Sequence, residues 1–486
     1  MKTMKSNTKL LSFFVASGVA LQVACGGGGV EVKTPDGKNP GGKPVISAAA
    51  EKGFNAAIEA FVAHDKANDW NDANCADVAK RFEAAAAEEK AGKLAEATFN
   101  AGLAYQRCGN EKEARARFQK ALTDNPKFHY ARAQLALYDY KPNSNEDATI
   151  ASLQQAVLDS QFENVPALVN LAMIQMARDS ATGDKDCKDD FDCAKKNLQR
   201  ALAKDDAYMP AFNQLALYYF QLAKKRAGAV KGKGKRQMAT NAAMGKRADV
   251  QQLELAALVC SQAIRKNPSY APIHNTAGLI QNELGLVNSA VGEFATAAKL
   301  DPRLFEAQMN FAAVNLSFRG FEQAEGAYRN ALTMRPNDYD AHLGLALALR
   351  GRIDDSNYDK QVAAVQAELD AAKKIDPNRA DAYYNEGILT QEYKAKGLEQ
   401  AKQIATLEQA QSILRTFTEK ASGKPEYDGA VKRSKERIED MDVMKDFIKQ
   451  GGNVNKAPPP PENTGDATPP PAGGAAGGAP AEPAKK

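Results

Sequence analysis

Three prolines, Pro268, Pro302 and Pro336, stand 34 residues apart, and the residues between them repeat in type. Between positions 271 and 304, small Ala277 and Gly278 are adjacent and Gly285 interrupts the run. Ala290, Phe294 and Ala297 follow at helical spacing before Pro302. The next stretch has Phe311 and Ala312, then Ala324, Tyr328, Ala331 and Pro336. A long period with residue types in phase restricts the chain to tandem supersecondary units that bury their apolar faces on their neighbours. Apolar residues at i, i+3, i+4 and i+7 argue for amphipathic helices. Small residues where two helices cross let the backbones approach, and an aromatic fills the space on the facing helix. Asn267-Pro268 and Asp301-Pro302 end the second helix, because proline disfavours helical geometry in the residue before it.

Other copies fall in register. Residues 95–128 carry Gly102, Tyr105, Gly109, Ala114, Phe118, Ala121 and Pro126. Units beginning near 129, 165, 209, 339 and 380 are more degenerate, and three of them hold insertions. This pattern resembles the tetratricopeptide repeat family over roughly residues 48–447. The resemblance implies an all-α fold: a right-handed α-α superhelix of about nine helix pairs with flexible ends, its first helices lining a concave groove. Strand signals are few.

The ends read differently. Residues 1–24 resemble a lipoprotein signal peptide, with Lys2, Lys5 and Lys9 ahead of an apolar stretch. Ala24-Cys25 resembles a bacterial lipobox, although Gln22 stands where that family prefers leucine. Cys25 is the expected lipidation site, and Gly26 at the next position favours the outer membrane by resemblance. Residues 25–47 read as a flexible tether and 448–486 as a Pro/Ala/Gly-rich disordered tail. The repeat array occupies 48–447, with inserted loops near 179–193 and 224–249.

The chain has 64 basic and 60 acidic residues, and three of the basic ones lie in the leader. Near-neutrality of the remainder is no nucleic-acid signature. One local exception is an insertion: residues 207–248 hold no Asp or Glu but include Lys224, Lys225, Arg226, Lys231, Lys233, Lys235 and Arg236. It reads as a solvated excursion or as a contact for an anionic envelope polymer, lipid headgroups or an acidic protein. Of six cysteines, Cys187 and Cys193 flank a short insertion and are expected to pair. Cys75 and Cys108 fall at one edge of an antiparallel array and form a second candidate pair. Cys260 stands where sister repeats carry Phe294 and Tyr328, so a buried free thiol is expected.

No catalytic constellation is visible. The chain has four histidines, and His274 and His342 share one repeat position, which reads as packing or surface. There is no nucleophile elbow, phosphate loop or metal-ligand spacing. No catalytic residue, metal, cofactor, small-molecule substrate or nucleic-acid partner is expected. Trp70 reads as a cap on the first pair.

Binding is the better reading. Phase places Phe99, Asn213, Asn275, Met309, Leu343 and Tyr384 at one groove position, with Leu103 and Leu217 one turn on. Asn100, Asn170, Asn310 and Asn385 run beside them. The resemblance implies that these asparagines hold a partner's backbone. Proteins of this class that grip acidic C-termini carry Lys or Arg at these positions, and none is present here. Apolar members of the set also suit packing between repeats. Leader, array and tail together resemble envelope lipoproteins of this repeat class, those of the myxobacterial gliding machinery among them. The expected role is a periplasm-facing, lipid-anchored scaffold that docks other envelope proteins. Outer-membrane or pilus assembly is the alternative.

Overall fold

The computed structural model describes residues 46–450, apart from 68, 90–92, 182–185 and 232–237; the side chains of 227–249 also lie outside the description. Among the described residues there are nineteen α-helices and no strand. They run as nine consecutive helix pairs and one closing helix. The chain divides into two compact units at Tyr218/Tyr219.

The first unit holds α1 (Ala48–Ala67), α2 (Asp72–Ala87), α3 (Ala95–Arg107), α4 (Glu111–Asp124), α5 (His129–Asp139), α6 (Glu146–Asp159), α7 (Val165–Arg178) and α8 (Asp190–Lys204). Helix α9 (Met209–Lys231) crosses the division. Side chains cap several starts: the Asn71 carbonyl oxygen accepts from the amides of Ala73 and Asn74, and that of Asn110 accepts from Glu113. The core is a file of buried rings, Phe54, Phe61, Phe82, Phe99 and Phe118. Phe54 and Phe82 meet edge-on at 5.6 Å, and Phe99 lies 5.2 Å from Phe118. Each such ring contributes roughly 1.5–3 kcal/mol of burial. Trp70 closes the first pair: it lies 4.9 Å from Phe61, and its indole Nε1 donates to Asp65 at 2.8 Å.

The second unit holds α10 (Met238–Lys266), α11 (Ala271–Glu283), α12 (Val287–Leu300), α13 (Phe305–Ser317), α14 (Phe321–Met334), α15 (Tyr339–Arg350), α16 (Tyr358–Ile375), α17 (Asp381–Leu389), α18 (Gln400–Ala421) and α19 (Asp428–Lys449). A π turn, Thr390–Lys394, extends α17. Gly285 turns α11 into α12 with φ +78°, and Arg319, one period later, takes the same left-handed conformation with φ +62°. The turn therefore repeats after its glycine is lost. The small-residue rule is visible at Gly278, where an added Cβ would lie 2.6 Å from the Phe294 ring. Gly102 stands in the same relation to Phe118. Gly344 differs: the ring it faces is Tyr328, on the second helix of the preceding pair. The aromatic at this position therefore also seats the next repeat.

Where a loop was expected over 224–249, α9 continues to Lys231 and α10 starts at Met238. Alanine, lysine and arginine fill these stretches, and all favour helix. The leader, Cys25, the tether up to residue 45 and the tail beyond 450 lie outside the described residues.

Candidate partner-docking face

The twelve residues expected to line a groove do not form one open row. Seven are buried: Phe99, Asn100, Leu103, Asn213, Leu343, Tyr384 and Asn385. Asn170, Leu217, Asn275, Met309 and Asn310 are half-buried. In the first unit, Phe99 is surrounded by Phe118, Phe128 and Tyr130, at 5.2, 5.5 and 6.0 Å. It is core, as Leu103 is. Asn170 on α7 remains partly accessible; Asn213 and Leu217 follow on α9.

In the second unit, successive first helices touch one another: α11 with α13, α13 with α15, and α15 with α17. The asparagines tie them together. Asn310 Nδ2 donates to Asn275 Oδ1 at 2.8 Å. Asn385 Nδ2 donates to the Asp381 carbonyl at 2.9 Å, and its Oδ1 accepts from Arg350 Nη1 at 3.1 Å. An open amide ladder was the expectation. Here the amides bond within and between repeats, because a half-buried amide left without partners is costly. The accessible apolar row is short: Leu279 on α11, then Met309 and Ala313 on α13.

Three arginines border the far end of this unit. Arg350 ends α15, two helical turns beyond Leu343. Arg433 and Arg437 come from α19, the closing helix, which stands where another first helix would. Arg433 Nε donates to the Tyr384 hydroxyl at 3.4 Å, and Arg437 reaches Gln391 Oε1 and Glu392 Oε1, each at 2.8 Å. The sequence reading found no basic residue at the groove positions. The signal it passed over was the helical spacing from Leu343 through Leu347 to Arg350.

The two phased histidines share one geometry. His274 Nδ1 meets Glu293 Oε2 at 2.7 Å and Nε2 meets the Pro268 carbonyl at 2.9 Å. His342 repeats this with Glu368 at 2.6 Å and Pro336 at 2.9 Å. Each ring fastens a first helix to its own second helix and to the preceding turn. Both nitrogens of His274 face acceptors, so the Glu293 hydrogen bond raises its pKa above 6.5 despite burial. His129 is the opposite case. Burial lowers its pKa to about 4, and Nδ1 accepts from Asn164 Nδ2 at 3.0 Å.

Cys75 and Cys108 are joined with Cα atoms 6.4 Å apart, linking α2 to the end of α3. Cys187 and Cys193 are joined at 5.1 Å, across the start of α8. Beside that ring, buried Asp190 receives Arg178 through Nε at 2.8 Å and Nη2 at 2.6 Å. Cys260 is buried, and burial raises its thiol pKa to about 12. Of the basic insertion, Lys224 lies 3.8 Å from Glu283 and 4.3 Å from the Phe220 ring centroid, and Lys225 and Arg226 are exposed. Lys231, Lys233, Lys235 and Arg236 lie outside the described side chains. Among the described residues no group of His, Cys, Asp and Glu is placed to hold a metal ion, and no helix is long and apolar enough to cross a membrane.

No protein-family model and no curated protein matches the sequence. Among solved structures, MamA from Desulfovibrio magneticus RS-1 is 17% identical, with 42% of this chain and 97% of that chain covered and a TM-score of 0.30. PilF of Pseudomonas aeruginosa is 14% identical, with 58% and 97% covered and a TM-score of 0.36. Human IFIT1 with m7Gppp-AAAA is 14% identical, with 71% and 77% covered and a TM-score of 0.38. The classification rests on the chain itself. A 34-residue period, one helix pair per period and an aromatic of the second helix seated on a small residue of the first are all present, and the fold is an all-α solenoid of helix pairs of the tetratricopeptide-repeat type.

Proposed function

We propose that this protein is a non-catalytic interaction scaffold, anchored by lipid at Cys25 in the bacterial cell envelope and facing the periplasm. It docks a partner protein on the second unit. The observation that carries the docking reading is the partly accessible row of Leu279, Met309 and Ala313 on two adjacent first helices. Such a row suits an extended segment or an amphipathic helix. The leader, with Ala24-Cys25 and the glycine-rich stretch after it, supports the anchor. Leader, array and Pro/Ala/Gly-rich tail resemble the tetratricopeptide lipoprotein of the myxobacterial gliding-motility machinery, and a place in such a machine is the role we favour. Outer-membrane or pilus assembly is the rival role for the same architecture.

The test is crosslinking and capture from envelope membranes with the full chain and with Leu279→Glu/Met309→Glu. Loss of one specific crosslinked partner with an unchanged helical signal is expected. Unchanged crosslinking by the double variant would sink the docking reading. Cys25→Ala should release the protein from membranes.

A second reading has its own observation, the run of residues 207–248 without a single acidic residue. It makes the insertion a contact for an anionic envelope polymer. Neutralising Lys231, Lys233, Lys235 and Arg236 would then abolish capture while the Leu279/Met309 variant retained it.

A further inference from the structure

In the second unit the turns that join first helices to second helices stand along one edge, because the first helices lie side by side. Two consecutive turns on that edge carry protruding apolar side chains. Leu286 follows left-handed Gly285 between α11 and α12 and is 54% exposed. Phe318 precedes left-handed Arg319 between α13 and α14 and is 59% exposed. One period further, the turn from α15 to α16 exposes Arg352, Asp354 and Asp355 instead. On the other side stands the part of α9 beyond the unit division. Lys224 lies 3.8 Å from Glu283 at the end of α11, which brings the α9 cations level with the Leu286 turn. Lys224, Lys225 and Arg226 are exposed, as is Arg319, and the carboxylates of the two turns are Glu283 and Glu322. From Lys224 the α9 backbone runs on past this edge to Lys231, about 10 Å further. Residues 207–248 contribute no acidic residue. Isolated exposed apolar residues are ordinary, but these two occupy successive turns beside the longest basic run of the array. A protein partner draws its energy from apolar side chains packed together in desolvated pockets, whereas these tips stand on separate turns among Glu283, Asn288 and Ser317. An anionic polymer answers the cations and has no use for Leu286 and Phe318. An anionic bilayer answers both: its phosphates take the cations, and the boundary beneath its headgroups takes leucine and phenylalanine.

We propose that this edge rests on an anionic phospholipid surface. Leu286 and Phe318 enter the boundary between headgroups and acyl chains, and Lys224, Lys225, Arg226 and Arg319 face lipid phosphates. The contact is independent of the docking row, and it gives the basic insertion to a membrane rather than to a polymer. So few residues bind weakly and lose affinity in salt. They reinforce a single acyl anchor and do not replace it, so Cys25→Ala still releases the protein at physiological salt. The contact also sets a posture for this unit. Helix ends meet the membrane, while the Leu279–Met309 row lies on the sides of those helices and stays open to a partner.

The experiment uses the full chain with Cys25→Ala, so that no acyl chain contributes, and phosphatidylcholine vesicles with or without phosphatidylglycerol. Whatever the leader adds is common to every variant. At low salt the vesicles with phosphatidylglycerol should be bound at least about tenfold tighter, and salt should erode the difference. Leu286→Ser/Phe318→Ser should weaken that binding by at least about tenfold with the helical signal unchanged. Lys224→Gln/Arg226→Gln should reduce the preference for phosphatidylglycerol. In a Phe318→Trp chain, the emission added to that of Trp70 should move to the blue on vesicles, which contact through charge alone does not produce. Equal binding to the two vesicles, binding to neither, full binding by the turn variant, or no blue shift overturns the proposal. Binding of dextran sulfate that Lys224→Gln/Arg226→Gln abolishes, together with vesicle binding indifferent to Leu286 and Phe318, would overturn it in favour of a polymer. Phe318→Ser alone serves if circular dichroism shows the double variant altered. Leu279→Gln/Met309→Gln changes no charge and keeps this contact apart from the docking row: vesicle binding should survive it. Vesicle binding lost with that variant and retained by the turn variant would put the docking row, not the turns, in the lipid and would overturn the proposal.

Discussion

The amide nitrogen of Asn310 donates to the side-chain oxygen of Asn275 at 2.8 Å, across the junction of two repeats. Both residues are half-buried, so water competes only in part for this bond. In a tandem array, stability is a sum of unit terms and neighbour terms, and this pair belongs to the neighbour terms. A double-mutant cycle of Asn275→Ala and Asn310→Ala should show a coupling of about 0.5–1.5 kcal/mol. Urea unfolding measures it. Additive effects would assign the two amides to solvent rather than to each other.

The glycines divide into two classes. At Gly278 and Gly344 an added methyl group would strike the rings of Phe294 and Tyr328, and neither buried ring has room to retreat. Gly278→Ala and Gly344→Ala should each destabilise by about 1–3 kcal/mol. At Gly292 and Gly326, inside second helices, nothing lies within 4 Å of the added carbon. There, alanine should stabilise by up to about 1 kcal/mol, from helix propensity alone. The opposite signs, read from thermal midpoints, are the check.

The same contrast marks what the sequence makes legible. Pro268, Pro302 and Pro336 and the phased Ala, aromatic and Gly positions reveal the pairs because each acts inside its own unit. The seat of Gly344 on Tyr328 is hidden, since its two residues belong to different pairs and the contact depends on how neighbours stack. The groove row is half legible for the same reason. Phase says which residues share a face, yet not which of them turn inward: Phe99, Leu343 and Tyr384 are buried, Phe99 against Phe118 and Phe128 and Tyr384 against Phe417. Arg433 and Arg437 are hidden more deeply, because α19 lacks the repeat signature. The π turn at Thr390–Lys394 also shifts the register that would place Gln391 and Glu392 beside them.

The two disulfides should differ in worth. Cys75–Cys108 spans 33 residues and Cys187–Cys193 only 6. Loop-closure entropy assigns roughly 4 kcal/mol to the longer link and roughly 2 kcal/mol to the shorter. Cys75→Ser/Cys108→Ser should therefore lower the urea midpoint more than Cys187→Ser/Cys193→Ser. Peptide mapping without reductant should recover both links and leave Cys260 unmodified until the protein unfolds. Labelling of Cys187 and Cys193 in the untreated protein would refute the shorter link.

Two histidines give the chain opposing pH dependences. Burial lowers the pKa of His129 to about 4, so the folded state keeps this ring neutral where an unfolded chain would protonate it near 6.5. Between those values the unfolded state binds the extra proton, and stability falls as pH drops from about 6.5 towards about 4. The loss is at most about 3.5 kcal/mol, since each unit of separation corresponds to about 1.4 kcal/mol. His274 has the reverse sign. Its bond to Glu293 raises the folded pKa, so its contribution is fully present below about 6.5 and disappears as pH rises through the raised value. His129→Gln should flatten the acid limb of a stability–pH curve between about 4 and 6.5. His274→Gln should lower stability most at the acid end and flatten the limb above 6.5. Denaturant midpoints at half-unit pH steps, taken as differences from the unmodified protein, isolate each ring from the titrating carboxylates. A His129→Gln curve parallel to that of the unmodified protein would show that the buried ring does protonate in the folded state.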